Sequence, residues 1–277
     1  MTTTTTYIPK IIHACWFGST PPEHITKNIQ LWKELMPEWS ISLYTDKDSH
    51  LFNNFASQAW LQKKYAFAAD YIRCKKLCEV GGIALNANTI ILRPLDEILD
   101  IDNPKFFTGW EVFKRQFTPF ISVFGSKPNS FITRTILEEF DNEDFLKNDG
   151  TTLNYKTINE RFSNLFYQID PTLRQQSKYK KKNIGDRTII YPVNYFCIDD
   201  GETNICLSPY NGSWLSSGSV KPILTIKIGN NTFQIKKFKP HQKSNKPDKL
   251  IHEKILININ NRILISRFQK IAENLLA

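Results

Sequence analysis

No stretch of this sequence approaches the roughly 20 consecutive apolar residues that a membrane-spanning helix needs. The opening Met1-Thr2-Thr3-Thr4-Thr5-Thr6 has neither a basic segment nor an apolar run, so it does not read as a signal peptide, and a cytoplasmic protein is expected. Cysteine is scarce and odd in number: Cys15, Cys74, Cys78, Cys197 and Cys206 lack framework spacing, which suits a reducing compartment. A zinc site built from Cys74, Cys78, Cys197 and Cys206 is disfavoured because zinc ribbons use tighter pairs, and buried free thiols are the better reading. Also missing are a Gly-x-x-x-x-Gly-Lys loop, a Gly-x-Ser-x-Gly elbow and a His-Glu-x-x-His helix. Those absences remove the commonest phosphoryl-transfer, hydrolase and metalloprotease chemistries.

What is present is ordinary globular material: 277 residues, 41% of them hydrophobic, enough to bury a substantial core. The net charge of +9 is unevenly placed. Residues 221–277 hold 12 Lys/Arg against 3 Asp/Glu, whereas residues 1–220 hold 24 of each. A neutral body with a basic end argues against nucleic acid as a partner, since basic groups should then line the working groove. It fits a tail that meets an anionic surface.

The run Tyr7 to Gly18 (YIPKIIHACWFG) reads as a buried first strand ending in a loop. Residues 23–35 place Ile25, Ile29, Trp32 and Leu35 on one helical face, and Ser40 to Tyr44 alternates like a second strand. A helical pattern from Ala59 to Val80 stops at Gly81-Gly82, and strands are expected at 83–85 and 90–92. The middle offers strands at 106–110 and 120–124 and helices at 128–140 and about 155–167. Residues 175–186 read as an exposed loop, 188–192 as a strand, 220–239 as a hairpin turning at 229–231, and 248–276 as a basic amphipathic helix. Alternating strands and helices of this kind predict an α/β fold with its ligand at the carboxyl edge of the sheet.

Several residues fall where such a ligand would lie. Trp16, at the end of the first strand, offers a flat face to a nucleobase, although on spacing alone a core role is the more natural. Asp70 and Arg73 are three apart on a helix face of small and apolar residues. The pair can grip hydroxyls and phosphates, or simply pair with each other. In GGIALNANT, Asn86 and Asn88 are expected to alternate on one face of a strand end. Ser213 and Trp214, after a glycine turn, supply a hydroxyl and an indole donor.

In order, the blocks IPKIIHACWFG, KKYAFAADYIRCKKLCEVGGIALNANTIILRPLD, IIYPVNYF and GSW resemble the glycosyltransferases with an Asp-x-Asp sugar-binding motif. These are capsular and lipopolysaccharide sugar transferases related to the yeast initiating α-1,6-mannosyltransferase and, more distantly, to the clostridial glucosylating toxins. The resemblance covers residues 8–214. It implies a GT-A type, Rossmann-like nucleotide-sugar-binding fold with a mixed central sheet and helical additions, over residues 1–219, followed by a basic hairpin and helix at 220–277. It also implies a nucleotide-sugar donor, a UDP-sugar being favoured by analogy, a divalent Mn²⁺ or Mg²⁺, and retaining transfer of a hexose to a glycan, lipid-linked glycan or protein acceptor. Trp16 would then stack on the base, Asp70 and Arg73 would contact ribose and donor sugar, and Ser213 and Trp214 would touch the diphosphate.

Two departures matter. Asn86 and Asn88 stand where the motif has its catalytic, metal-holding aspartates, and Ser208-Pro209-Tyr210 stands where relatives often have histidines. Two amides remove the negative charge that would face a divalent cation, so metal affinity should fall sharply. Isosteric replacement of both residues in an otherwise matching motif reads as an Asp-to-Asn inactivated form of a parent carrying GGIALDADT. The alternative is a pseudoglycosyltransferase that binds or scaffolds without chemistry. In the tail, Phe268, Ile271 and Leu275 with Arg262, Arg267 and Lys270 could place residues 248–277 on anionic lipid, a peripheral membrane contact, or form a helix packed on the domain.

Overall fold

The protein is described by a computed structural model over residues 7–113, 116–147, 149–175, 177–197, 203–207, 224–228, 231–237 and 255–257. The chain divides into two compact units, Met1–Ser208 and Pro209–Ala277. The first begins with β1 (Ile11–Cys15), α1 (Glu23–Leu35) and β2 (Ser40–Tyr44), the β-α-β unit expected from periodicity. Ile25, Ile29 and Trp32 are the buried face of α1. Next come α2 (Asn54–Leu61) and α3 (Tyr65–Val80), where one continuous helix was expected. Between them Lys63 takes a left-handed φ of 57°. The amides of Lys63 and Lys64 donate to the carbonyls of Trp60 and Ala59 at 2.9 and 2.8 Å. Gln62-Lys63-Lys64 offers no apolar side chain to hold a turn against the core. A three-residue break also barely shifts helical phase, so the periodicity hides it.

Helix α3 stops where expected. Gly81 and Gly82 have φ of 72° and 117°, and a Cβ on Gly82 would stand 2.5 Å from the Ile11 carbonyl oxygen. The chain continues through β3 (Gly82–Leu85), β4 (Ile90–Ile91), α4 (Asp96–Asp102), β5 (Phe106–Phe113), β6 (Gln116–Ser126), α5 (Phe131–Asp141) and α6 (Ile158–Ile169). Then follow β7 (Lys182–Asn183), β8 (Thr188–Tyr191), the single turn α7 (Val193–Phe196) and β9 (Cys206–Leu207). Among the described residues the main sheet has the order β2-β1-β3-β6-β5-β8-β7. Strands β2, β1, β3, β5 and β8 run the same way, and β6 and β7 oppose them. This is the mixed α/β sheet with helices that the sequence predicts. From β1 the chain goes first to β2 on one side and then to β3 on the other. The crevice between the ends of β1 and β3 is therefore a topological switch point.

The core is strongly aromatic, with Phe55, Phe106, Phe124, Phe140, Phe145 and Phe162 almost fully buried. Arg161 is buried among them. Arg161 pairs with Glu139 at 3.0 Å and Glu143 at 2.7 Å and lies 4.3 Å over the Phe140 ring, tying α6 to α5 and the turn after it. The stretch 175–186 is not wholly an exposed loop: Lys178 is buried, its ammonium 4.0 Å over the Trp110 ring and bonded to the Leu173 carbonyl, and β7 pairs with β8. A long aliphatic stem ending in a cation that an indole face can accept makes that burial possible.

In the second unit, β10 (Leu224–Ile228) and β11 (Asn231–Lys237) form the expected antiparallel hairpin, and β12 (Ile255–Ile257) pairs with β11. Ile255–Ile257 is thus a strand inside the stretch expected to be helical, as its Ile-Leu-Ile composition favours. The rest of 248–277, including Arg262, Arg267, Phe268, Lys270, Ile271 and Leu275, lies outside the described residues.

His13 ties three elements together. Its Nε2 donates to the Gly81 carbonyl at 2.9 Å, so in the neutral ring Nδ1 accepts from the Tyr44 hydroxyl at 3.1 Å. Burial, helped by the nearby Lys76 charge, pushes the imidazole below its ordinary value, although the Gly81 bond and Glu79 act the other way. The folded state therefore binds fewer protons than the unfolded one. Its contribution is complete above about pH 6.5 and is lost as pH falls through the lowered folded value. Urea midpoints should drop between about pH 7.5 and 5.5, and His13→Phe should flatten that drop while lowering the midpoint at the higher pH. Equal pH slopes in the two proteins would remove His13 as the cause.

Candidate functional site

Trp16 follows the last residue of β1 and Asn86 the last residue of β3, so the two flank the switch point at the carboxyl edge, where open α/β sheets bind ligands. Trp16 is half-buried. Its backbone amide continues the ladder to the Tyr44 carbonyl at 2.8 Å, its indole nitrogen donates to Ser19 Oγ at 3.2 Å, and its ring meets His24 edge-on at 6.4 Å. It is neither fully in the core nor fully exposed. The loop behind it is fixed by Asp46, whose two oxygens accept from the Gly18 amide at 3.0 Å each while one also accepts from the Trp60 indole at 2.6 Å. Gly18 has φ 86° and lies so close to the Tyr65 ring that a Cβ would stand 2.1 Å from it.

Asp70 and Arg73 do form the intrahelical ion pair on α3, but it is buried rather than on the surface: the side chains are 14% and 5% exposed. Burial raises the Asp70 carboxyl above its ordinary value, and the Arg73 guanidinium offsets part of that rise. Cys15, which sits beside them and donates to the Ala69 carbonyl at 3.8 Å, is pushed up to about 12 by the same burial, so it stays a thiol. Arg73 also leaves its own helix. Nη1 donates to Asn86 Oδ1 at 2.6 Å, and Asn86 Nδ2 donates to Ser122 Oγ on β6 at 2.9 Å. Asp70, Arg73, Asn86 and Ser122 are therefore one hydrogen-bonded row crossing from α3 over the end of β3 to β6.

The strand-end geometry expected for Asn86 and Asn88 is corrected. Strand β3 ends at Leu85, and Asn86-Ala87-Asn88-Thr89 is a turn closed by the Thr89 amide donating to the Asn86 carbonyl at 2.8 Å. Asn and small residues favour such a turn, so the two amides are presented by turn geometry and not by strand alternation. The turn is held from α1: Asn28 Nδ2 donates to the carbonyls of Ala87 at 2.9 Å and Thr89 at 2.8 Å, and the Trp32 indole donates to Thr89 at 3.0 Å. Past the turn, Ile90 pairs with Leu207. Ser213 and Trp214, and the 208–210 segment, lie outside the described residues.

The Asn86 side chain does not fit a divalent cation. Both ends of the Asn86 amide are engaged, its oxygen by a guanidinium, and Asp70 is paired with that same guanidinium. Among the described residues no group of three or more His, Cys, Asp or Glu could hold a metal. A depression of about 290 Å³ lies at the opposite, amino edge of the sheet, beside Lys105, Lys127, Phe131 and Asp186, and contains none of these residues. Among the described residues no helix is long and apolar enough to cross a membrane.

Sequence reasoning missed Asn28, Ser122 and Asp46. Ser122 had a signal, being the one hydroxyl in the apolar run Phe120-Ile121-Ser122-Val123-Phe124. Asn28 sits at i+3 from Ile25, bordering a buried helix face.

No family model matches the chain, and no curated protein matches it. Among solved structures it is similar to PaToxG glycosyltransferase, with 19% identity over 61% of this chain and 71% of that one and a TM-score of 0.41. It is also similar to a glycosyltransferase involved in the glycosylation of the major capsid of PBCV-1, with 12% identity over 72% of this chain and 93% of that one and a TM-score of 0.41.

Asn28 can be tested directly. Asn28→Leu removes two hydrogen bonds to the turn and should cost about 1–3 kcal/mol in urea unfolding. Asn28→Asp should cost more, because it points carboxylate oxygens at two carbonyl oxygens. Unchanged stability in Asn28→Asp would show that the turn does not depend on Asn28.

Proposed function

We propose that the crevice between β1 and β3 is a sugar-nucleotide site of glycosyltransferase type, and that the carboxylates needed for full activity are missing from it. The observation that carries this reading is the Asp70-Arg73-Asn86 row at the switch point, which joins polar groups of helix α3 to the turn after β3 in one site. In this reading Trp16 stacks on the base, within a loop that Asp46 and Tyr65 hold in place. Asp70 accepts hydroxyls of ribose or sugar, and Arg73 supplies positive charge for sugar or phosphate oxygens. For Ser213 and Trp214, outside the described residues, the resemblance alone implies a role at the diphosphate.

The reaction is retaining transfer of a hexose from a nucleotide-sugar, a UDP-sugar being favoured by analogy, to a glycan, lipid-linked glycan or protein acceptor. In the parent with aspartates at both positions, Mn²⁺ or Mg²⁺ would neutralise the leaving diphosphate. In this chain the amides at positions 86 and 88 lack the negative charge for that role. The neutral Asn86-Asn88 pair also favours a second reading, a pseudoglycosyltransferase that binds a sugar nucleotide without turning it over.

The double variant Asn86→Asp with Asn88→Asp should fold normally, because Arg73 accommodates a carboxylate as readily as an amide oxygen and the Ser122 hydroxyl can rotate to donate to it. It should gain Mn²⁺-dependent donor hydrolysis or transfer at least about tenfold above the unchanged chain. If the double variant shows neither nucleotide-sugar binding by calorimetry nor turnover with any common donor, the reading is wrong. Binding without turnover would select the pseudoenzyme.

A further inference from the structure

The orientation of the Asn86 amide is fixed by chemistry. A guanidinium has donors only, so the atom 2.6 Å from Arg73 Nη1 must be the amide oxygen, and the atom 2.9 Å from Ser122 Oγ must be the amide nitrogen. Ser122 therefore accepts from Asn86 and keeps its own proton for a different acceptor. With an aspartate at position 86 the direction reverses: a carboxylate only accepts, and Ser122 would give its proton to it. Exchanging carboxylate for amide thus changes the character of the row. An acidic row can meet a diphosphate only through a bridging cation, because the two repel. With the Asp70 carboxylate held by Arg73, the amide N–H and hydroxyl donors of the row can bond to phosphate or sugar oxygens directly beside a guanidinium charge. A divalent cation at the Asn86 oxygen would face the Arg73 guanidinium across a 2.6 Å bond.

We propose that this chain binds its nucleoside-diphosphate sugar without a divalent cation, through donors around Asn86 and Ser122 together with the charge of Arg73. The proposal rests on the reading of the crevice as a sugar-nucleotide site and deepens it by naming the binding mode.

Calorimetry of the full chain with UDP-glucose, UDP-galactose and GDP-mannose, each in MnCl₂ and in EDTA, tests it. At least one probe should bind with dissociation constants equal within about twofold in the two media. Ser122→Ala should weaken that binding about fivefold in both, the loss of one hydrogen bond. Asn86→Asp with Asn88→Asp should make binding at least about tenfold tighter in MnCl₂ than in EDTA. The same tenfold preference for MnCl₂ in the unchanged chain would overturn the proposal. So would an unchanged chain that binds no probe beside a double variant that does, an outcome that leaves the sugar-nucleotide reading standing. Absence of binding by both proteins would overturn both.

Discussion

Everything at the candidate site depends on one guanidinium. Arg73 is held on its own helix by Asp70 and reaches across to Asn86, so the position of α3 and the position of the turn after β3 are one quantity and not two. Burying such a charge is costly unless its partners are fixed, and they are. The Gly81-Gly82 stop sets where α3 ends and β3 begins, and His13 bonds that same corner to β1 and β2. A charge in the middle of a helix thereby acquires a defined place at the edge of a sheet.

The same corner explains why the crevice lies where it does. Parallel strands β1 and β3 are neighbours in the sheet but are separated in the chain by α1, β2, α2 and α3. Their carboxyl ends must splay to send one connection each way, and the groups that follow them face a common gap. No side chain is needed to create the gap. The side chains decide only what fills it, and the fill here is close to neutral: one ion pair, two amides and a hydroxyl.

Much of the first unit was legible because it obeys simple periodicity. Residues 23–35 read as α1 because Ile25, Ile29 and Trp32 repeat at helical spacing, and the Gly-Gly stop of α3 is a backbone requirement visible in any sequence. The break at Lys63 was not legible, because a turn made by backbone hydrogen bonds leaves no apolar signature. The pairing of Arg73 with Asn86 joins positions 13 apart, and that of Asn86 with Ser122 joins positions 36 apart. No local pattern encodes such partners. The residue types at the site could be chosen from the sequence, but their geometry could not, which is why Asn86 and Asn88 were expected on a strand and stand in a turn.

Helix α1 touches the crevice at two heights. His24 lies against the ring of Trp16, and Asn28 holds the backbone of the Asn86–Thr89 turn. Four residues of helix separate them, a rise of about 6 Å that a rigid rod does not vary. The helix is thus a ruler laid along the gap, fixing the span between the flat face at one end and the polar row at the other. A ligand that engages both ends is selected by its length before any of its atoms is read.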